Sequence, residues 1–469
     1  MEDKFSHIRT AIEFCNLVRS TLGPRGMNKM VLSGSDIILS NDGATIVNSI
    51  KGGNPIVELM KSLAKSQEEA IGDGTTTSVL LAGQLLSNSL SLLEKGVHPT
   101  IIINGYNLAK VECMKMLEEM HHEEDKEKII KTCFGTKITK DIADKLCQLL
   151  MTVKDVENLK LFRKNNSNPI ESEIFNGYVF EGFTINDRME SEGGGHIAVL
   201  DFPVNMKFDK FSVTSANELE KATNYDTDYK KKIVDKLKAL SVKFVFYTDT
   251  TPEFETYLTD MGISGIVCFK REDVDGICNS TKATAISCLD QLDVTHLGLG
   301  HVKYVKGARG TIYVNGSGEM ETLILKGNTN QVLDEMVRAA HDVFSILRHD
   351  LSSVVGAGAV EMELAKGLRE VSKQVGGKEQ LAIDKFIEAI ESIPIILAEN
   401  CGLDAIEILT LLKQFHEHGQ KDYGVDQLLG VSNARNRQIF EPVLIKIHAI
   451  NSAVNITNLI LKLDGIYQG

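Results

Sequence analysis

IGDGTTTSVLLAG, residues 71–83, sets a carboxylate between two glycines, follows it with three threonines and then begins an apolar run. Gly72 and Gly74 let the backbone turn tightly and bring bare N–H groups close to a ligand. The apolar run predicts a helix from Thr75, and a helix N-terminus favours negative charge. Thr75, Thr76 and Thr77 add hydroxyl donors, so the stretch suits phosphate oxygens. A lone Asp73 would be repelled by phosphate unless a cation sat between them, which makes it a Mg²⁺ ligand, since Mg²⁺ commonly joins one or two carboxylates to phosphates. The same residues also make a good helix cap. From this stretch alone the two readings stand level.

The pattern around it is helical. Apolar residues recur at helical spacing over 8–21 and stop at Leu22-Gly23-Pro24. Residues 30–40 read as two short strands in a hairpin, 55–70 as an amphipathic helix, 75–93 as a buried one and 99–120 as a third. The middle differs: β-rich runs at 197–200, 242–247, 263–269 and 302–305 alternate with helical stretches such as 229–240, which predicts an α/β domain over about 178–320. Helices return at 331–349, 359–375, 380–401, 405–416 and 442–463. Helical, mixed, helical is the order expected if both ends build one domain and the middle is inserted into it. RKNNSNP, residues 163–169, reads as a loop.

Composition narrows the class. A chain of 469 residues, 43% hydrophobic and 25% charged, is expected to form two or three globular domains. No stretch approaches the roughly 20 apolar residues of a membrane-spanning helix, and MEDKFSHIRT carries no signal-peptide core. A net charge of −13 without a basic block argues against nucleic acid as a partner. Neither nucleic acid nor membrane is an expected partner, and a cytoplasmic location is expected. The eight cysteines include no CxxC pair, and the even spacing of Cys268, Cys278 and Cys288 matches no metal-ligand pattern, so reduced, mostly buried thiols are expected. His121-His122 reads as part of a solvated face.

Three more turns accompany the first. LGPRGM at 22–27 can present backbone amides, NDGATI at 41–46 is a second glycine-linked carboxylate, and VVGAGA at 354–359 is a small-residue turn leading into a helix. Each alone is weak. Together, in order, they resemble the group II chaperonins, the archaeal thermosome and the eukaryotic cytosolic chaperonin CCT/TRiC. TLGPRGMNKM, LSNDGATIV, GDGTTTSVLLAG, KGVHPTIIINGY, GKEQLAIDKFIEAIESIPIILAENCGLDAIEIL and IFEPVLIKIHAINSA are close to that family's signatures. The likeness covers essentially the whole chain, strong at both ends and weak from about Gly182 to Glu321.

The resemblance implies a multi-domain α and α/β chain with the chaperonin fold. It has a mainly helical equatorial domain from 1–122 and 355–469, a small intermediate domain from 123–177 and 321–354, and an inserted α/β apical domain, 178–320, with a lid protrusion near 205–223. It implies ATP and Mg²⁺ as cofactors. By motif, Leu22, Gly23 and Pro24 approach the phosphates; Asp73 holds Mg²⁺; Gly74, Thr75, Thr76 and Thr77 bind phosphate oxygens. Asp42, with Gly43 beside it, matches a carboxylate near the γ-phosphate and its attacking water. Asp342 matches the acid that orients that water, Lys164 a lysine that senses the γ-phosphate, Glu441 an acid near the ribose, and Gly358 and Asp426 the resting place of the nucleoside. Phosphoryl transfer needs charge neutralisation and an oriented water more than covalent help, and these residue types supply both.

The sequence departs from the family in reading GAG at 356–358 and in its short apical region. The hairpin at 30–40 and the tail at 461–464 match strands that pair between neighbouring subunits, which implies two stacked eight-membered rings built with other chaperonin subunits. LVRSTLGPRGMNKMVLS and NTNQVLDEM look most like a beta subunit, GAGAVE like zeta, GKEQLAI like alpha or an archaeal homo-oligomer. The expected activity is ATP hydrolysis that drives lid closure around unfolded proteins such as actin and tubulin. The alternative is a structural ring subunit with little hydrolysis. A small-molecule kinase lacks support, since no Walker GxxxxGK[ST] is present.

Overall fold

The computed structural model describes residues 5–33, 36–50, 53–184, 189–204, 216–268, 270–306 and 310–464. The chain divides into two units, one made of residues 1–152 and 329–469, the other of 153–328.

In the first unit the helix Thr75–Glu94 is apolar nearly all round, and it is buried along its length through Val79, Leu81, Leu85, Leu86 and Leu92. Against it pack Ser6–Asn16, Glu379–Asn400 and Val443–Leu461. Ser6–Asn16 ends earlier than its apolar spacing predicted, and Arg19–Thr21 is a separate 3₁₀ turn. Pro55 and Pro99 each open a helix, behind Asn54 and His98, whose side chains accept from Ile56 N and Thr100 N. Val443–Leu461, 19 residues, is long and apolar enough to cross a membrane, contrary to the expectation that no stretch comes near. It is a core helix here, with Ile445, Ile450, Val454 and Ile460 buried.

Two small sheets join distant parts of this unit. Ser352–Val355 pairs antiparallel with Phe440–Pro442, setting Val354 opposite Glu441, and with His122–Glu123. Tyr423–Asp426 and Gly430–Asn433 form a hairpin. Lys29–Ser33 and Asp36–Ser40 pair antiparallel as expected, with Met30 and Leu32 exposed. The tail at 461–464 is not a strand within this chain: Leu461 ends its helix and Lys462 is the C-cap.

The second unit holds a closed barrel in the order Gly298–Val305, Gly310–Gly316, Tyr178–Thr184, Ser264–Val267, Val242–Tyr247 and Glu192–Leu200. Val242–Tyr247 is buried on both faces: Phe244 and Phe246 join one apolar cluster, Val245 and Tyr247 the other. Ala216–Ala239 and Pro252–Asp260 are the crossovers between its parallel strands. Beside the barrel, Glu321–Gly327 pairs parallel with Leu159–Asn165 and antiparallel with Glu173–Asn176. Arg163, Lys164 and Asn165 therefore belong to a strand, not to the loop read from RKNNSNP; the ladder to Glu321–Gly327 claims their backbone. Of the expected lid protrusion, residues 205–215 lie outside the described residues, and 216–223 open the helix Ala216–Ala239.

Candidate active site

A cavity of about 660 Å³ opens in the first unit. Leu22, Gly23, Pro24, Asp42, Asp73, Gly74, Thr75, Thr76, Thr77, Gly358, Asp426 and Glu441 all line it, drawn from both ends of the sequence. Gly43 lies behind the wall. A Cβ there would come within 2.4 Å of Thr76 Oγ1, so glycine is what lets the two helix starts meet. Asp342 is joined to the cavity through Lys137. Lys164 belongs to the other unit, on the strand Leu159–Asn165.

Gly74 caps the helix Thr75–Glu94 at φ +79°, and a Cβ on it would approach Ile445 Cγ2 to 2.5 Å. Having no side chain, it accepts no hydrogen bond from the first amides of the helix. The hydrogen bonds of the described residues include none from the amides of Thr75, Thr76 or Thr77. Simple capping by residues 72–75 is therefore not what the structure shows: the helix start is left open toward the cavity, where its amides and positive dipole end suit an anion. Asp42 does cap its helix, accepting from Thr45 N at 2.8 Å and Thr45 Oγ1 at 2.6 Å, both on Oδ2.

The residue that sequence reading missed is Lys137. Its Nζ lies 3.0 Å from Asp73 Oδ1 and 2.5 Å from Asp342 Oδ2, joining the expected metal ligand to the expected water-orienting acid. Burial opposes the charge of Lys137, but Asp342 and Asp73 outweigh it and hold the ammonium well above its ordinary value. Burial pushes the Asp342 carboxyl up to about 7, against the pull of Lys137 and with the charges of Asp73 and Asp42 adding to the rise. Burial would raise Asp73 too, yet the charge and hydrogen bond of Lys137, with the Gly74 amide and the Cys133 thiol, bring it below its usual value. Cys133 Sγ sits 3.7 Å from both Asp73 Oδ2 and Lys137 Nζ.

At the other part of the wall, Asp426 is fully engaged. Its Oδ1 accepts from Leu428 N and Leu429 N, and its Oδ2 from Ser432 Oγ and Arg437 Nε. It shapes the hairpin turn. Glu441 is held by Lys446 at 2.6 Å, and Lys446 also reaches Glu361 at 2.8 Å. Ala357, the departure in the GAG turn, adopts φ +57°. Its methyl lies beside Gly424, where a Cβ would come within 3.0 Å of it, and its carbonyl accepts from Val425 N at 2.8 Å.

The model of the TCP-1/cpn60 chaperonin family matches residues 14–468. This chain belongs to the TCP-1/cpn60 chaperonin family. The chaperonin is 32% identical to thermosome subunit alpha of Thermoplasma acidophilum over 98% of this chain and 90% of that protein. It is also 32% identical to thermosome subunit 2 of Haloferax volcanii, covering 98% and 88%, and 31% identical to thermosome subunit gamma of Saccharolobus shibatae, covering 98% and 92%. It is a group II chaperonin subunit of the thermosome type, and its mixed α/β architecture is consistent with that fold. Chaperonins of this family are ATPases, which makes this an ATP-dependent subunit. Subunits named alpha, beta and gamma match at 30–32% identity, so identity does not separate the subunit types.

The residues present fit a nucleotide with its metal. Open amides and threonine hydroxyls are donors of the kind phosphate oxygens accept from. Among the described residues no set of three or more His, Cys, Asp or Glu gathers to hold a metal alone. A site with one or two carboxylates, completed by phosphate oxygens, is the usual Mg²⁺ arrangement.

Proposed function

We propose that this cavity binds Mg·ATP and hydrolyses it, and that the hydrolysis drives a protein-folding cycle. The observation that carries the reading is the meeting, in one cavity, of the open helix start at Thr75–Thr77 with Asp73 and Lys137, and the tie from Lys137 to Asp342 behind it. The amides and hydroxyls of Thr75, Thr76 and Thr77 take phosphate oxygens, with Leu22, Gly23 and Pro24 on the facing turn. Asp73 is the carboxylate for Mg²⁺, which when bound supplies charge neutralisation for the transferred phosphoryl group. Asp342, with its carboxyl poised near neutrality, accepts the proton of the attacking water, and Asp42 helps to place that water. Lys137 keeps the two acids together before nucleotide arrives and offers its ammonium to phosphate when it does. The γ-phosphate-sensing role that the resemblance implies for Lys164 stays part of the proposal. Glu441, Gly358 and the Asp426 hairpin form the nucleoside end.

The three-domain division at 122, 177, 320 and 354 is part of the same proposal. So are assembly with other chaperonin subunits into two stacked eight-membered rings, a beta-like identity and a cytoplasmic location. Clients are unfolded polypeptides; actin and tubulin are carried only by the likeness to the eukaryotic branch. A second reading, a ring subunit with little hydrolysis, has one observation in its favour: both Asp73 and Asp342 are already committed to Lys137.

ATP turnover of the assembled particle separates the two. Asp342→Asn should keep nucleotide binding and lose at least about 100-fold of the turnover this subunit contributes, the low end of what a positioned base supplies, so the particle loses this subunit's share. Asp73→Asn should weaken Mg²⁺-dependent ATP binding. Turnover unchanged in both variants supports the structural reading.

A further inference from the structure

Both carboxylate oxygens of Asp73 are engaged within the protein itself. Oδ1 lies 3.0 Å from Lys137 Nζ, and Oδ2 accepts from the Cys133 thiol at 3.7 Å. The same ammonium goes on to Asp342 Oδ2 at 2.5 Å. The Lys137 side chain is only 14% exposed, so these are not surface ion pairs that water and salt screen away.

We infer that Lys137 is an internal counter-ion that keeps the metal out until nucleotide arrives: its ammonium holds the place on Asp73 that Mg²⁺ must take, and a phosphate group is what draws it off. The inference rests on the reading of Asp73 as the metal ligand and of the cavity as a nucleotide site. Two cations cannot share this carboxylate. Mg²⁺ sits about 2.0–2.1 Å from its oxygen ligands, so on Oδ1 it would stand no more than about 5 Å from the ammonium. Like charges that close, largely shielded from water, repel strongly. On Oδ2 it meets the Cys133 thiol instead. Lys137 must therefore leave before the metal enters, and leaving without a new anion strands a buried charge. Mg²⁺ also sheds water reluctantly, so a carboxylate without phosphate offers it little.

Nucleotide supplies both missing parts. Its phosphate oxygens accept from the ammonium, and they complete the ligand set of the metal. Lys137 is placed to reach them, since it lines the same cavity as Gly74 and the three threonines after it. It lies between the helices Lys126–Gly135 and Lys140–Thr152. Its backbone is held there, Lys137 N donating to Phe134 O at 2.9 Å, while the flexible four-carbon side chain is what swings. The swing also takes the ammonium off Asp342. Loading the metal and freeing the acid for water are thus one event, and the metal alone triggers neither.

The test is Mn²⁺ binding, which suits the same oxygen ligands as Mg²⁺. Mn²⁺ retained by the assembled full-length protein is counted by equilibrium dialysis, with and without a non-hydrolysable ATP analogue, on particles that differ only in this subunit. In the wild type this subunit should take up Mn²⁺ only with the analogue. Lys137→Met keeps the length of the side chain and removes its charge. That variant should bind Mn²⁺ without nucleotide at least about tenfold more tightly than wild type, the value of one charged contact. Adding Asp73→Asn should abolish the gain, which places the ion on Asp73. Equal nucleotide-free binding by wild type and Lys137→Met overturns the inference, as does a gain that survives Asp73→Asn. If Lys137→Met does not assemble, Lys137→Gln, which can still hydrogen-bond both acids, takes its place with the same expectation; should that fail too, wild type decides alone, and nucleotide-free uptake by it is the contrary result. A wild type that takes up no Mn²⁺ even with the analogue ends the reading of Asp73 as metal ligand and this inference with it. A Lys137→Met particle that still needs the analogue ends only this inference.

Discussion

A lysine at position 137 closes the gap between two acids that lie 269 positions apart in the chain (342 − 73), its ammonium paired with both. The Asp342 carboxyl beside it is raised by burial to about 7, and in the proposed role it should set the pH dependence of the reaction. The base form is needed to take a proton from water, and it is scarce below that value. The sign follows: kcat/KM for ATP, which reports the free enzyme, should climb about tenfold per pH unit below about 7 and level off above about 8. A profile flat from about pH 5.5 to 8 would contradict the role. Ala357 offers a second check. At φ +57° its methyl costs about 1 kcal/mol that glycine would not incur. Ala357→Gly should therefore raise the midpoint of thermal unfolding, and an unchanged or lower midpoint would show the turn to be unstrained. Asp42, Asp73 and the glycines were legible because glycine beside a carboxylate at a helix start has few other uses. Lys137 was not. It lies past the break at Gly135 in a stretch with Lys131 and Lys140, and no periodicity says which of the three turns inward.

Between elements, one buried tie is ionic. Lys446 of Val443–Leu461 reaches Glu361 of Ala359–Gln374 and Glu441 of Phe440–Pro442, with the Lys446 and Glu361 side chains only 7% and 5% exposed. Glu361 holds Lys446 through Oε1, and its buried Oε2 has no hydrogen-bond partner. Lys446→Met should cost about 3–5 kcal/mol, because it strands a buried charge, and adding Glu361→Leu should recover most of it. Denaturant unfolding of the single and double variants measures both, and equal stabilities of Lys446→Met and wild type would count against the tie. Long helices with a continuous apolar stripe were readable to within a residue or two, Pro55–Ala70 and Ala359–Gln374 among them. Glu379–Asn400 was readable in spite of the internal Pro394. Lys126–Gly135 and Lys140–Thr152 were not, since they are short and rich in lysine. Of the barrel, Gly193-Gly194-Gly195 hid the first half of its strand: glycine carries no strand signal, and here neighbouring backbone holds it in place.

Over the whole molecule, residues 153–328 carry their own sheets and apolar clusters. A fragment with those limits should fold alone and unfold cooperatively, as an inserted segment with a separate core does. A disordered fragment, by circular dichroism and proteolysis, would show that its core depends on the rest. The switch from helical to strand-helix patterning and back made the insertion visible in sequence. Barrel closure was invisible, because which strands become neighbours is set by contacts far apart in the chain. The central claim is that Asp73 holds the metal and Asp342 the water of an ATP-hydrolysing site. An electron cryo-microscopy map of the assembled particle with Mg²⁺, ADP and aluminium fluoride tests it most directly. The expected map shows the metal on the Asp73 carboxylate, Lys137 moved from Asp342 toward the fluoride, and Asp342 on the in-line water. A map with nucleotide elsewhere, or with Lys137 still bridging both acids beside a bound nucleotide, would contradict it.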